Sequence, residues 1–135
     1  AIECYRNSAN QGYTEAQLEM AYCYERGIWV GRNYESALEW YLKVAEKGDQ
    51  KYQLVVADMY YSGEKISRNY GEAMKWYAKA VEQGSVDAML KLGNMYYKGE
   101  GVPISKSEAE KWYRKAAEQG NETAKRNLNN MGVIW

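Results

Sequence analysis

The chain repeats itself every 36 residues, and this period constrains its fold more than any other feature of the sequence. Seven sets of equivalent positions recur at intervals of 36 residues, with no insertion between the repeats. Three of the sets are Gly12, Gly48, Gly84 and Gly120; Trp40, Trp76 and Trp112; and Tyr5, Tyr41, Tyr77 and Tyr113. A fixed period of this length is typical of proteins that stack small units, each of which buries its apolar face against its neighbours.

Each unit contains two helix-start signals, so it is predicted to be a helix pair. At the unit boundaries, Gly48, Gly84 and Gly120 each precede a short polar residue suited to cap the next helix. A second start lies inside the unit, where Ser105 and Glu108 have the spacing of a capping box. The sequence predicts eight helices, near residues 1–11, 14–26, 33–47, 50–62, 69–83, 86–98, 105–119 and 121–132.

The predicted fold is all-α: a right-handed α-solenoid of antiparallel helix pairs, forming one domain over residues 1–135. Its parts are a half-unit at 1–12, full units at 13–48, 49–84 and 85–120, and a half-unit at 121–135. The half-units are compatible with a segment of a longer array or with unusual caps. The final residues, Met131 to Trp135, are too apolar for an ordinary solvated cap, which makes them candidates for self-association.

The third unit carries a motif that resembles the Sel-one-like repeat, a relative of the tetratricopeptide repeat. The motif reads Ala88-x-x-x-Leu92-Gly93-x-x-Tyr96-x-x-Gly99-x-Gly101-Val102, followed by Ala109-x-x-Trp112-Tyr113-x-Lys115-Ala116-Ala117-x-x-Gly120. The second and first units depart from it in the inter-helix loop, at Gly63 to Ile66 and Gly27 to Val30. The resemblance implies an adaptor that holds another protein, often in bacterial envelope, secretion or host-interaction pathways. It implies no reaction.

The composition argues against catalysis and against several ligand classes. The 135 residues include no histidine and two cysteines, which removes His-based acid–base chemistry and the usual zinc sites. The formal net charge is zero, whereas a nucleic-acid surface normally shows a basic excess. No apolar run is long enough to span a bilayer. We therefore expect no enzyme activity, no cofactor, no metal, no nucleic-acid partner and no membrane insertion.

The two cysteines, Cys4 and Cys23, allow two interpretations. In a helical hairpin that turns near residue 13, these two positions face each other, so a disulfide is geometrically possible. Against a bond, Cys4 occupies the tryptophan position of the repeat and Cys23 the position of Met59 and Met95. Both are predicted core positions, where cysteine behaves as a small hydrophobic residue.

Analogy with tetratricopeptide pairs places the partner-binding surface on the first helix of each unit, which lines the concave face. The tyrosines are the best anchors, since tyrosine combines a rigid apolar ring with a hydrogen-bonding tip. The leucines recur at the repeat period and could equally be core. Trp29, outside the scaffold positions in a loop, either contacts a partner or packs on its own repeat. The predicted concave residues are Glu15, Leu18, Tyr22, Glu25, Lys51, Leu54, Asp58, Tyr61, Asp87, Leu90, Asn94, Tyr97, Arg126 and Asn130.

The function predicted from these observations is a protein-binding adaptor that holds a partner protein or peptide in its concave groove. Two alternatives stay open: an immunity-type protein that blocks a toxin or effector, and a structural segment of a longer repeat array. The sequence does not distinguish a bacterial periplasmic or secreted location from a cytoplasmic one.

Overall fold

The computed structural model describes residues 2–134 and contains eight α-helices in that part of the protein. All eight predicted helices are present, with ends within two residues of the predicted positions, so the predicted all-α fold of paired helices is confirmed. Residue 1 of the first predicted helix lies outside the described residues. The helices are α1 (Ile2–Asn10), α2 (Thr14–Arg26), α3 (Tyr34–Glu46), α4 (Gln50–Ser62), α5 (Tyr70–Glu82), α6 (Val86–Lys98), α7 (Lys106–Glu118) and α8 (Glu122–Asn130).

Hydrogen bonds from capping residues fix where most of these helices begin. The Ser105 hydroxyl accepts a hydrogen bond from the backbone N–H of Glu108, as the capping-box spacing predicts. Asn121 Oδ1 accepts from the N–H of Ala124 at 2.8 Å. Asn33, Asp49, Asn69 and Ser85 cap α3 to α6 in the same way. Each bond satisfies one of the N–H groups that a helix start leaves without a partner.

The first helix of each complete unit ends at a glycine in the left-handed conformation. At Gly99, φ is 75°, and its N–H bonds back to the carbonyl of Met95. A side chain at this φ would be strained, so glycine lets the backbone leave the helix within one residue. The backbone can then return along the helix it has just left, which gives each unit its antiparallel pair.

The first compact unit, Ala1–Arg68, contains α1 to α4. Consecutive helices pack on each other, and a buried cluster of Ala9, Ala16 and Met20 joins α1 to α2. Ile2, Tyr24 and Trp40 pack around this cluster. The small alanine side chains let the helix axes come close, while the larger residues fill the space beside them.

The second compact unit, Asn69–Trp135, contains α5 to α8. Its core joins α7 to α8 through Tyr113, Leu128 and four alanines. Gly93 of α6 lies directly under the Tyr113 ring, since a Cβ at this position would be 2.6 Å from the ring atom Cε1. The absence of a side chain at Gly93 therefore sets where the Tyr113 ring lies. That these units form one continuous domain stays a prediction.

None of the helices described in residues 2–134 is both long enough and apolar enough to traverse a bilayer.

Candidate functional site

A cleft of about 210 Å³ in the second unit brings together three of the predicted binding residues. Asn94 and Tyr97 come from α6, and Asn130 comes from the last position of α8. Tyr97 is 43% exposed, so its ring is available at the rim. The other lining residues, which the sequence analysis did not predict for the groove, are Lys98, Tyr113, Asn127 and Met131.

A hydrogen-bonded tyrosine forms part of the cleft wall. The Tyr113 hydroxyl donates to Asn94 Oδ1 at 2.6 Å. Burial, with a smaller contribution from Tyr97, raises the pKa of Tyr113 to about 12, and a bond from the Asn127 side chain partly opposes this rise. The hydroxyl therefore keeps its proton at neutral pH and remains a donor to Asn94.

Most residues that line this cleft are neutral, and the single charge among them is positive. Lys98 is its one ionised side chain among the lining residues, which include three carboxamides and no carboxylate. A second hollow of about 430 Å³ shares Tyr97, Asn130 and Met131 with it and adds Lys106, Ser107, Glu110 and Val133. Together the two hollows offer aromatic rings, amides, two lysines and the carboxylate of Glu110, on side chains of α6, α7 and α8 and of the residues that follow α8. This chemistry suits a polar segment with apolar side chains better than a small apolar ligand.

The first unit has a hollow at the same repeat positions with the opposite charge character. It is lined by Glu25, Asp58, Glu64 and Lys65, and by Val55, Met59 and Ser62. Glu25 and Asp58 lie two repeats before Tyr97 and Asn130 of the second unit.

Glu25, a predicted binding residue, already has two partners inside the protein. Its Oε1 accepts a hydrogen bond from the Tyr41 hydroxyl at 3.1 Å, and its Oε2 pairs with Lys65 Nζ at 2.8 Å. Burial and the Glu25 carboxylate both raise the pKa of Tyr41, with burial the larger cause. These contacts give Glu25 a structural role within the first unit. Its role in binding stays a prediction.

The remaining predicted residues are spread over both units. Tyr22 is 41% exposed and lies beneath the Arg26 guanidinium, whose central carbon is 5.1 Å from the ring centroid. Leu90 packs against the core of the second unit, which favours the core alternative for this leucine. Leu18, Leu54 and Tyr61 are half-buried, whereas Glu15, Lys51, Asp87 and Arg126 are not buried in the core. A continuous groove through all of them remains a prediction.

Cys4 and Cys23 are free thiols, so the possible disulfide is not formed in this structure. Cys23 is buried, as expected for a core position, and burial, reinforced by the nearby Glu19 carboxylate, raises the pKa of its thiol. Cys4 is exposed, which corrects the expectation that it is a core residue. The reason lies in α1, where Ala9 is the one buried residue and carries the packing against the neighbouring helix.

Trp29 is exposed and packs on a residue of the preceding half-unit, and its contact with a partner stays a prediction. Its ring stacks on Tyr5 with the centroids 6.1 Å apart, yet the residue is 60% exposed. Its φ is 64°, the only positive value for a non-glycine residue among the described positions. A tryptophan in this region is strained, and the stacking on Tyr5 is one contact that holds it there.

Comparison with known proteins identifies one family of repeats in four segments of the chain. The model of the Sel1 repeat matches residues 1–13, 14–49, 51–85 and 86–121. No curated protein sequence matches significantly.

Three solved bacterial structures are similar to this protein over most of its length. The Escherichia coli protein c5321, described as a protective antigen of uropathogenic strains with an SLR fold, has a TM-score of 0.78 and 36% identity over 94% of this chain. This chain spans only 27% of that protein. A Sel1 repeat protein from Oxalobacter formigenes has a TM-score of 0.73 and 33% identity, covering 95% of this chain and 96% of its own.

The third structure is Helicobacter pylori cysteine rich protein B. It has a TM-score of 0.64 and 25% identity, covering 90% of this chain and 93% of its own. Sel1 repeats are in general non-catalytic modules for protein–protein interaction. With four repeat matches along its length and the helix pairs that they require, this chain belongs to the Sel1 repeat family.

Proposed function

We propose that the protein is a non-enzymatic adaptor that binds a polar segment of a partner protein in the cleft lined by α6, α7 and α8. One observation carries the proposal: three residues chosen as binding residues from the repeat pattern, Asn94, Tyr97 and Asn130, line the same cleft. The remaining lining supplies hydrogen-bonding groups and one cation beside an exposed aromatic ring.

The chemistry of the cleft supports a peptide segment over other ligands. Carboxamides donate and accept, so they match the alternating donors and acceptors of a peptide backbone. Tyr97 offers a rigid ring at low entropic cost, which is typical of residues that contribute most to binding. Lys98 favours a segment that carries a carboxylate nearby.

A random dodecapeptide library displayed on phage tests this function. The whole protein serves as bait, and enriched peptides are titrated against three purified proteins: the unmodified protein, Tyr97→Ala, and the control Tyr13→Ala. Tyr13 is a suitable control because it is 63% exposed and lies outside the cleft. We expect Tyr97→Ala to weaken binding by roughly tenfold or more, as truncation of an aromatic anchor does, and Tyr13→Ala to leave it unchanged.

Two results contradict the proposal. One is the enrichment of no peptide. The other is the enrichment of peptides that bind all three proteins equally, or that shift NMR resonances only outside the cleft. Far-UV circular dichroism of each variant shows whether it is folded.

A further inference from the structure

The first compact unit contains a hollow of about 480 Å³ that the proposed function does not use. It is lined by α1, by α2 and by the turn that joins these two helices. Its lining combines two exposed aromatic rings and two exposed carboxylates with a hydroxyl and a buried alanine. The lining residues are Tyr5, Ser8, Tyr13, Glu15, Ala16 and Glu19.

The two carboxylates of this hollow have no cationic partner among the residues that the structure describes. Neither Glu15 nor Glu19 forms an ion pair within residues 2–134. They lie four residues apart on α2, a spacing at which like charges repel each other. Lys47 reaches the turn beside them, but its Nζ bonds to the carbonyl oxygen of Gly12 at 2.6 Å and to Thr14 Oγ1 at 2.8 Å. The hollow therefore favours a cation from outside the described part of the chain.

The next repeat shows what the same positions hold when they are filled. Tyr41 occupies the position of Tyr5, and Tyr52 occupies the position of Ala16. The Tyr41 and Tyr52 rings stack with their centroids 5.9 Å apart and their planes at 13°. Lys51 Nζ lies 5.4 Å from the centroid of the Tyr52 ring. Beside Tyr5, the positions of this second ring and of this cation are an alanine and a glutamate, so the chain supplies neither group there.

We propose that this hollow binds an arginine side chain of a partner protein, with the guanidinium stacked on the Tyr5 ring and paired with the two carboxylates. A guanidinium is planar and positively charged, so one group can replace both the second ring and the cation. Its N–H donors lie in its plane, so they can reach carboxylates while its face contacts a ring. Trp29 stacks on Tyr5, with the centroids 6.1 Å apart, and helps to hold that ring in one orientation.

The probe is acetyl-Ala-Arg-Ala-N-methylamide, compared with the same peptide carrying citrulline, whose side chain has nearly the same shape but no charge. Binding to the whole protein is followed by NMR through the ring resonances of Tyr5 and Tyr13. The salt concentration is kept low because salt screens exposed charges. We expect the arginine peptide, titrated to about 50 mM, to shift both rings, and the citrulline peptide to bind about fivefold more weakly. A lysine peptide should bind at least about twofold more weakly, because an ammonium group does not stack on a ring.

Paired charge variants separate the hollow from the net charge of the protein. Glu15→Gln combined with Glu19→Gln should weaken the arginine peptide about fivefold, as the loss of two exposed ion pairs does. The matched control is Glu35→Gln combined with Glu39→Gln. It removes two exposed carboxylates with the same spacing from a helix of the same compact unit, outside the hollow. The control should change the affinity by less than about twofold.

A variant that fills the hollow tests the comparison between the two repeats. Ala16→Tyr introduces the residue that the next repeat has at this position, so its ring should stack on Tyr5 as Tyr52 stacks on Tyr41. We expect it to weaken the arginine peptide by about tenfold or more, although both carboxylates remain. Ala16 is buried in the cluster that joins α1 to α2, so far-UV circular dichroism must show that this variant is folded. If it is not folded, the paired glutamate variants decide.

Four results would overturn the proposal. They are no shift of either ring by the arginine peptide, equal affinity for the arginine peptide and either analogue, equal weakening by the two pairs of glutamate substitutions, and unchanged binding to a folded Ala16→Tyr protein. Equal weakening by both pairs would mean that only the net charge attracts the peptide. The function proposed for the second unit is tested separately, because Tyr97→Ala changes its cleft and leaves this hollow intact.

Discussion

Single residues decide what this repeat scaffold presents at its clefts. The tyrosine in the second helix of the repeat is buried in both compact units: Tyr41 is 4% exposed and Tyr113 is 3% exposed. In each case its hydroxyl bonds to a residue of the preceding helix. The acceptor differs: a carboxylate at Glu25 and a carboxamide at Asn94. One recurring repeat position thus supports an acidic hollow in the first unit and an amide-rich cleft in the second.

The raised pKa of Tyr113 predicts a loss of stability in alkali. Its pKa is about 12 in the folded protein, against about 10 for a tyrosine in an unfolded one. The stabilising contribution is complete below pH 10 and is lost as the pH rises towards 12, because the unfolded state releases the proton first. We expect Tyr113→Phe to be about 1 kcal/mol less stable at pH 8 and to approach or exceed the unmodified protein near pH 11.5.

Urea unfolding at pH 8, 10 and 11.5 measures this difference. Tyr13→Phe is the control, because Tyr13 is exposed. A difference between the Tyr113→Phe protein and the unmodified protein that is constant with pH would contradict the prediction.

We expect the two free thiols to react at different rates with a thiol reagent such as Ellman's reagent. The folded protein should react rapidly at one cysteine, the exposed Cys4, and slowly at Cys23, which is 3% exposed and has a raised thiol pKa. The unfolded protein should react at both. A disulfide would instead give no reaction in either state, and Cys4→Ser identifies which thiol reacts first.

At the level of the helices, the sequence predicted almost everything because the signals are local. Capping residues and glycines act on the backbone immediately beside them, so the bounds of α2, α4 and α6 match the prediction residue for residue. The packing of side chains is less local. The contact of Lys65 with Glu25 joins residues that are 40 positions apart, and the sequence carries no sign of it. The roles of Tyr113 and Asn127 were missed for the same reason, since Tyr113 matched a scaffold position.

The capping residue of α8 should stabilise the helix that forms one wall of the cleft. Asn121→Ala removes the bond to the N–H of Ala124 and should lower the free energy of unfolding by about 1 kcal/mol. Asn129→Ala changes an exposed asparagine of the same helix and should alter it by less than about 0.5 kcal/mol. Urea unfolding of both variants tests this prediction, and equal effects would show that the cap contributes nothing specific.

At the scale of the whole molecule, the helix contacts run between consecutive helices within each compact unit. A helical repeat array of this kind gains its stability from the units and from their nearest-neighbour interfaces. A substitution that destabilises one core should therefore lower the stability of the helices next to it in sequence more than that of the other helices.

Leu128→Ala tests this locality. Leu128 is fully buried in the core shared by α7 and α8, so its truncation should cost about 2–5 kcal/mol. Amide hydrogen exchange should lose protection mainly in α6, α7 and α8, with α1 and α2 nearly unchanged. Met20→Ala, in the core of the first unit, should give the opposite distribution. Uniform loss of protection in both variants would mean that the protein opens as one cooperative body.

The tyrosine and the residue to which its hydroxyl bonds lie within one repeat period of each other in both compact units. In one unit its hydroxyl reaches Glu25, and in the other it reaches a position that lies one helical turn earlier in the repeat frame, Asn94. The two residues are 16 positions apart in the first compact unit and 19 in the second, so an engineered graft one period long can transfer the tyrosine together with its polar partner.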